Sequence, residues 1–160
     1  LFSIAVRGEV SFRNSGNELV LRRTIGVDRR FSLFEKDLYV VVEYQHDPFG
    51  AFNAEQYEKV LSSKHFIRSE LQTLGEDEMV AQGSYQLHPL ANISFLWLTN
   101  LSDGSNLVSP SFSYSASDEV AVVGGIFLGA GEEGVGYSRQ LRSEYGSVGA
   151  TAYLSISVFL

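Results

Sequence analysis

Large apolar residues alternate with small polar residues along most of this chain. The clearest case is the stretch Ser94 to Ser117, SFLWLTNLSDGSNLVSPSFSYSAS, where two alternating runs flank the turn sequence SDGSN. Side chains on a strand point alternately to opposite faces, so such a run predicts a strand with one apolar face and one polar face. The pattern predicts eight strands, at about 2–13, 18–31, 37–47, 78–88, 91–101, 106–116, 119–130 and 149–160.

One segment has helical spacing instead, Asn53 to Ser63. Asn53 is a predicted N-cap, and Gln56 is its predicted partner in a capping box. The segment lies in the first of two long predicted loops, about 48–77 and 131–148, whereas the other connections are short turns. We expect the helix either to fold over one end of the structure as a lid or to form a partner surface.

The apolar face decides the fold class, because it carries more than thirty side chains, most of them large. A soluble eight-stranded barrel such as a lipocalin would place them inside, but its lumen holds little more than packed side chains or one small ligand. On the outside of a membrane barrel, lipid would solvate them while the polar face lined the interior. The sequence therefore predicts one all-β domain over residues 1–160, an antiparallel up-and-down transmembrane β-barrel with one short loop helix.

The connections agree with this topology. If the last strand ends on the periplasmic side, both long loops fall on the outer side and the short turns fall in the periplasm, as in bacterial outer-membrane barrels. Aromatic residues of the apolar face then cluster near the two rims and are predicted to form interfacial girdles. The residues are Phe2, Phe31, Tyr85 and Tyr114 on the periplasmic side and Phe12, Tyr44 and Trp97 on the outer side.

Composition and charge exclude several other classes. An apolar content of 44% with 19% charged residues is that of a folded chain, and no run of 18 apolar residues predicts a transmembrane helix. A net charge of −7 argues against nucleic acid as a partner, and the lack of cysteine excludes disulfides and thiolate metal sites. His46, His65 and His88 have no metal-ligand spacing. His46 beside Asp47 is the one candidate for acid-base chemistry, and we predict neither an enzyme nor a cofactor or metal.

Charged residues of the polar face concentrate on the first three strands and predict a luminal charge network. A turn at NSGN (14–17) pairs residues whose numbers sum to about 31, so Glu9 is expected opposite Arg22, with Asp47 close by. The charges either satisfy one another in a narrow barrel or form a constriction in a wider one. The predicted network is Arg7, Glu9, Arg22, Asp28, Glu43 and Asp47, and the predicted pore wall is Gln82, Ser84, Ser109, Ser111, Ser113, Ser155 and Ser157.

Two segments resemble Gram-negative outer-membrane barrels of the porin-like kind: TIGVDRRFSLFEKDLYVVVEYQHDPFGAF (24–52) and AYLSISVFL (152–160). The C-terminal segment is similar to the signal read by the barrel-assembly machinery, although it ends in leucine instead of the usual phenylalanine. The resemblance implies an outer-membrane location, contact with the bilayer and lipopolysaccharide, and the last eight strands of a larger barrel. The signal residues would be Leu154, Ile156, Val158, Phe159 and Leu160.

The functional expectation is a passive, weakly cation-preferring channel for small solutes. The alternative is a plugged eight-stranded barrel that serves as a structural anchor or binds a protein partner through its outer loops. A soluble lipocalin-like binder and a membrane enzyme are the more distant options.

Overall fold

The computed structural model describes residues 4–15, 18–134 and 141–159. Eight antiparallel strands form one up-and-down sheet in which each strand pairs with its sequence neighbours. This confirms the predicted all-β class and strand order, and every strand end lies within two residues of its predicted position. The strands are β1 (Ile4–Ser15), β2 (Glu18–Leu33), β3 (Lys36–His46), β4 (Asp77–His88), β5 (Ala91–Asn100), β6 (Asn106–Ser117), β7 (Val120–Ala130) and β8 (Thr151–Val158).

The sheet has two free edges. Within the described residues β1 pairs only with β2 and β8 pairs only with β7, so the sheet is open. Closure into a barrel is thus not part of the observed architecture. Both edge strands present unpaired backbone N–H and C=O groups, which are strong hydrogen-bonding groups.

The register of the first hairpin differs from the prediction. Glu9 pairs with Thr24, and Arg22 pairs with Ser11, so the predicted Glu9–Arg22 pairing is wrong by two positions. The cause is that pairing continues to Ser15 and Glu18, beyond the point where the predicted turn separates the strands. Because the shift is an even number of residues, Glu9 and Arg22 both remain on the polar face.

The helical segment is shorter and more divided than predicted. A 3-10 turn (Ala54–Gln56) leads into α1 (Tyr57–Leu61), and a second helix follows, α2 (Lys64–Ile67). The predicted capping box is wrong, because the Asn53 side chain makes no capping hydrogen bond and Gln56 Oε1 instead accepts one from the Phe52 amide at 3.1 Å. No helix in the described ranges is long and apolar enough to cross a membrane.

The main hydrophobic core lies in the loops and not against the sheet. Residues 48–76 and 141–150, here called the loop cap, contain every buried apolar side chain of the described ranges. Five of these buried apolar residues form one cluster. The partly buried Phe49, Leu61, Phe66 and Leu141 pack against this cluster. The sheet's own apolar face therefore has no packing partner among the described residues. The five clustered residues are Ala51, Tyr57, Val60, Leu71 and Leu74.

The loop cap covers the polar face at the strand ends that carry the long loops. Polar-face residues at this end, such as Asp47, Glu78 and Asn100, are 2% exposed or less. A Cβ on Gly129, also a polar-face position, would lie 2.2 Å from the carbonyl oxygen of Tyr145. The helical segment thus folds over this end of the polar face, as the lid hypothesis requires.

We predict that Gly129→Ala loosens the loop cap. The new methyl group would meet two backbone carbonyls, at 2.2 and 2.5 Å, which can move only if the cap backbone moves. Such overpacking costs about 1–3 kcal/mol. Limited proteolysis of the folded protein should show faster cleavage within 48–76. Gly83→Ala is the matched control, because a Cβ there meets nothing within 4 Å. Equal protease resistance of the two variants would contradict this packing.

Candidate functional site

Charged residues and small polar residues occupy different parts of the polar face of the sheet. The charged predicted residues lie on β1, β2, β3 and the start of the following loop, whereas serine predominates on β6 and serine or glycine recurs on β7 and β8. Direct cross-strand pairing joins Ser84 to Ser94, Ser94 to Ser111 and Ser111 to Gly125. A solute that moves along this face would meet ionic groups on one side and hydroxyl groups on the other.

Arg7, Asp28 and Tyr39 form the first charged unit. Arg7 Nη2 lies 2.7 Å from Asp28 Oδ1 and donates a hydrogen bond of 2.9 Å to the Tyr39 hydroxyl. The same hydroxyl donates to Asp28 Oδ2 at 2.9 Å, which closes a triangle across three strands. The Arg7 side chain is 58% exposed, so solvent screens this pair and its contribution to stability is small. Sequence reasoning misses Tyr39, because it assigns aromatic residues to the membrane interfaces.

Arg22 and Asp47 form the second unit, and the structure brings them together as the sequence predicts. Arg22 Nε lies 3.3 Å from Asp47 Oδ2, and Arg22 Nη2 donates to Gln45 Oε1 at 2.8 Å. The loop cap buries this pair, since the side chains are 18% and 1% exposed. A carboxylate so deeply buried depends on its partner, because an unpaired buried charge is strongly unfavourable.

Glu9 and Glu43 stand apart from both units. Glu9 faces Thr24, and Glu43 faces Gly26. A Cβ on Gly26 would lie 2.7 Å from Glu43 Cγ, so the Glu43 side chain lies across this glycine. Neither carboxylate has an ion-pair partner within the described part of the chain. The predicted network is therefore two ion-paired units and two separate carboxylates, not one continuous ladder.

A buried polar cluster fixes the loop cap to the sheet. Glu144 accepts hydrogen bonds from the backbone amides of Leu74 and Gly75, at 2.8 and 3.2 Å, and from the Asn100 side chain at 2.8 Å. The Glu144 amide donates to Asp103 Oδ2 at 2.7 Å. These contacts join residues more than 40 positions apart in the chain, so no local sequence pattern could have indicated them.

Two tyrosines in the cap take part in this cluster. The Tyr57 hydroxyl donates to Asp103 and accepts from Asn100 Nδ2 at 2.8 Å. Burial, followed by the hydrogen bond to Asp103, raises the pKa of Tyr57 well above its ordinary value. Burial likewise raises the pKa of Tyr145, whose hydroxyl lies 3.4 Å from Glu78 Oε2. Both phenols therefore stay protonated at physiological pH and act as fixed hydrogen-bond donors.

The predicted wall and girdle residues fall on the faces assigned to them. The seven wall residues occupy alternate positions on the polar face of β4, β6 and β8, and Ser109 among them is buried. On the apolar face, Tyr44 donates to Asp77 at 2.5 Å and Trp97 donates to Asn106 at 2.9 Å. Phe2 lies outside the described residues. The other girdle residues on that face are Phe12, Phe31, Tyr85 and Tyr114.

The residues of the predicted assembly signal lie on the edge strand. Leu154, Ile156 and Val158 project from the apolar face and are at least 61% exposed. Phe159 follows the strand, and its amide donates to the Glu119 carbonyl at 2.8 Å. Leu160 lies outside the described residues.

His46 does not join Asp47 in a catalytic arrangement. The two neighbours point to opposite faces, and His46 instead contacts Asp77 at 2.9 Å and Glu76 at 3.5 Å on the apolar side. His65 pairs with Glu70 at 2.8 Å in the cap. Across the described ranges, no three acidic, histidine or cysteine side chains are arranged to hold a metal ion.

We predict that Arg22→Ala destabilises the folded protein by about 3–5 kcal/mol, because it leaves the buried Asp47 carboxylate unpaired. The double change Arg22→Gln with Asp47→Asn should be tolerated better, because both charges are removed together. Urea unfolding measures both effects. The matched control is Arg30→Ala, which breaks a 3.8 Å pair whose side chains are 70% and 61% exposed, and should cost less than about 1 kcal/mol. Equal losses for Arg22→Ala and Arg30→Ala would contradict the role of burial.

No family model matches this chain, and neither a curated protein nor a solved structure matches it. The porin-like resemblance of its sequence therefore has no support from these comparisons.

Proposed function

We propose that this protein is an integral outer-membrane β-barrel of a Gram-negative bacterium that acts as a passive, weakly cation-preferring channel for small solutes. In this proposal the polar face of the sheet lines the passage and the apolar face meets lipid. The loop cap narrows the outer end of the passage. The observation that carries the proposal is the exposed apolar face.

Exposed apolar side chains occur on every strand of that face except β3, whose apolar residues are partly buried. Large side chains on the two edge strands are among the most exposed, with Val6 at 69%, Phe12 at 66% and Leu154 at 68%. Apolar residues on the central strands are also exposed, for example Phe112 at 47%. Soluble monomers rarely expose contiguous apolar patches of more than a few hundred Å². A bilayer supplies the solvent that such a face requires, and the polar face then has to be the interior.

The free edges favour a barrel of more than eight strands. In hydrocarbon each unsatisfied backbone group costs several kcal/mol, so β1 and β8 cannot remain unpaired in a membrane. We infer that additional strands pair with both edges and complete the barrel. A higher strand number widens the lumen and leaves room for water beside the serine and glycine residues of the wall.

The charges of the polar face support a weak cation preference. Arg7, Arg13, Arg22 and Arg30 each lie within 4 Å of an acidic side chain, so the positive charges are largely neutralised. Glu9 and Glu43 remain as carboxylates without an ion-pair partner in the described ranges, one on each side of β2. A passage with this balance raises the local concentration of cations.

The alternative is a plugged barrel that serves as an anchor or binds a partner through its loops. The buried hydrogen bonds of Glu144 favour it, because they hold the cap rigidly over the polar face. The two functions differ in one measurable property, since a plugged barrel inserted in a bilayer conducts no ions. In either case the proposed contacts are bilayer lipid, lipopolysaccharide at the outer rim and the barrel-assembly machinery at β8.

The first expected outcome is stable membrane integration. The protein should fractionate with outer membranes and should migrate faster in detergent gels before boiling than after boiling, because a closed barrel resists unfolding by detergent. A chain that is monomeric and soluble without detergent would contradict the proposal and favour a soluble ligand-binding barrel.

The second expected outcome concerns ion preference. A unit charge about 5 Å from an ion in water contributes about 0.8 kcal/mol, which changes the local ion concentration roughly fourfold before screening. Glu9→Gln and Glu43→Gln should each lower the cation-to-anion permeability ratio in planar bilayers by up to that factor. Glu58→Gln, on the exposed surface of α1, is the control and should leave the ratio unchanged. Conductance with an unaltered ratio in all three variants would remove these carboxylates from the passage, and an absence of conductance would favour the plugged barrel.

A further inference from the structure

A second feature of the polar face lies at the end opposite the loop cap. Beside the β2–β3 and β4–β5 turns is a cleft of about 490 Å³. Its size falls within the range of about 300–1,000 Å³ that small-molecule sites occupy. The side chains that line it and matter here are Arg30, Asp37, Tyr39, Gln86, Asn92 and Ser113.

The lining of this cleft is close to electrically neutral. Its arginine, Arg30, lies 3.8 Å from its carboxylate, Asp37, so the two charges offset each other. The other polar groups are amides, hydroxyls and one histidine, His88. The separate carboxylates Glu9 and Glu43 do not line the cleft. Recognition here depends on hydrogen bonds more than on net charge, which disfavours phosphorylated or strongly ionic solutes.

Two amides stand side by side in the lining of the cleft. Gln86 on β4 pairs directly with Asn92 on β5. The Asn92 amide nitrogen donates to Ser84 Oγ and Ser94 Oγ, both at 3.1 Å, and these bonds fix its orientation. The exposed Gln86 amide makes no hydrogen bond to another side chain within the described residues, so it can both donate to and accept from a ligand.

A fixed aromatic ring completes the cleft. The Tyr39 hydroxyl is held by Arg7 and Asp28, each at 2.9 Å, so the position of its ring is set before any ligand arrives. Its ring carbons add an apolar surface beside the amides. Hydroxyl groups matched by amides and serines, together with C–H groups matched by an aromatic ring, are the features of a carbohydrate.

We propose that this cleft is a binding subsite for neutral carbohydrates of one or two sugar units. The proposal rests on the proposed function in so far as the sugar reaches the cleft along the passage. Ser113 on β6 pairs directly with Asn92 and supplies a further hydroxyl beside the amide pair. Gln86 carries most of the specificity, because a ligand without hydroxyl groups would leave its amide unpaired. The Asn92 amide is already bonded to Ser84 and Ser94, so it offers a ligand only the remaining acceptor position of its oxygen.

Binding is measured on the full-length protein with maltose as the probe, by saturation-transfer NMR in a detergent that has no sugar headgroup. A single hydrogen bond to a neutral group is worth about 0.5–1.5 kcal/mol, so Gln86→Ala and Asn92→Ala should each weaken maltose binding by about two- to tenfold. The matched control is Gln82→Ala, the same change on the same strand and face but outside the cleft. It should leave maltose binding unchanged. Glucose 6-phosphate is the ionic comparison and should bind more weakly than maltose.

Three results would overturn the proposal. The first is no detectable binding of maltose at millimolar concentration, and the second is equal weakening by Gln86→Ala and Gln82→Ala. The third is tighter binding of glucose 6-phosphate than of maltose, because it would show that charge governs the site. The measurement needs no ion conduction. A non-conducting protein that binds maltose in the expected pattern would reject the channel and keep the subsite, whereas a conducting protein that binds none would do the reverse.

Discussion

Antiparallel backbone pairing from β1 to β8 is the constraint on which the rest of the structure depends. Because neighbouring strands are in register, every side chain is committed to one of two faces, and a slip of one residue would exchange them. The apolar face has no packing partner among the described residues. The sheet is therefore stabilised by its backbone pairing and by whatever covers that face, and no apolar core of the described residues packs against it. The apolar core of the described ranges lies in the loop cap, where Tyr57, Val60 and Leu74 pack together.

The sequence predicts the sheet well because a period of two is a local property. Every strand end is predicted within two residues, and all the wall residues fall on the expected face. The turn after β1 is less predictable, because turn residues limit a register only to within a few positions. The predicted register of the first hairpin is wrong by two residues. This leaves every side chain on the correct face but gives Arg22 the wrong cross-strand partner. Its contact with Asp47 is nevertheless predicted, because it depends on the face and on the second hairpin.

The loop cap could not be predicted in the same way, because its contacts join distant segments. Glu144 binds Leu74, Gly75 and Asn100, and nothing in the sequence around Glu144 distinguishes it from a solvated acidic residue. The alternation also has exceptions, in which apolar residues occupy polar-face positions, and only the structure explains them. Val80, Leu98 and Leu107 occupy the polar face in one cross-strand row. This row lies next to the capped residues Glu78 and Asn100, where water is already excluded.

Glycines on the polar face determine where its larger side chains lie. Glu43 extends across Gly26, and the Tyr153 ring lies across Gly125, where an added Cβ would be 2.7 Å from the tyrosine oxygen. Each glycine therefore gives its space to a neighbour on the adjacent strand, so the neighbour lies along the wall instead of projecting from it. In the proposed channel, a carboxylate held flat beside β2 would act on passing ions without narrowing the path. A glycine-to-alanine substitution at either position would push the side chain that lies across the glycine away from the sheet. The shape of this surface therefore depends on its smallest residues as much as on its charged ones.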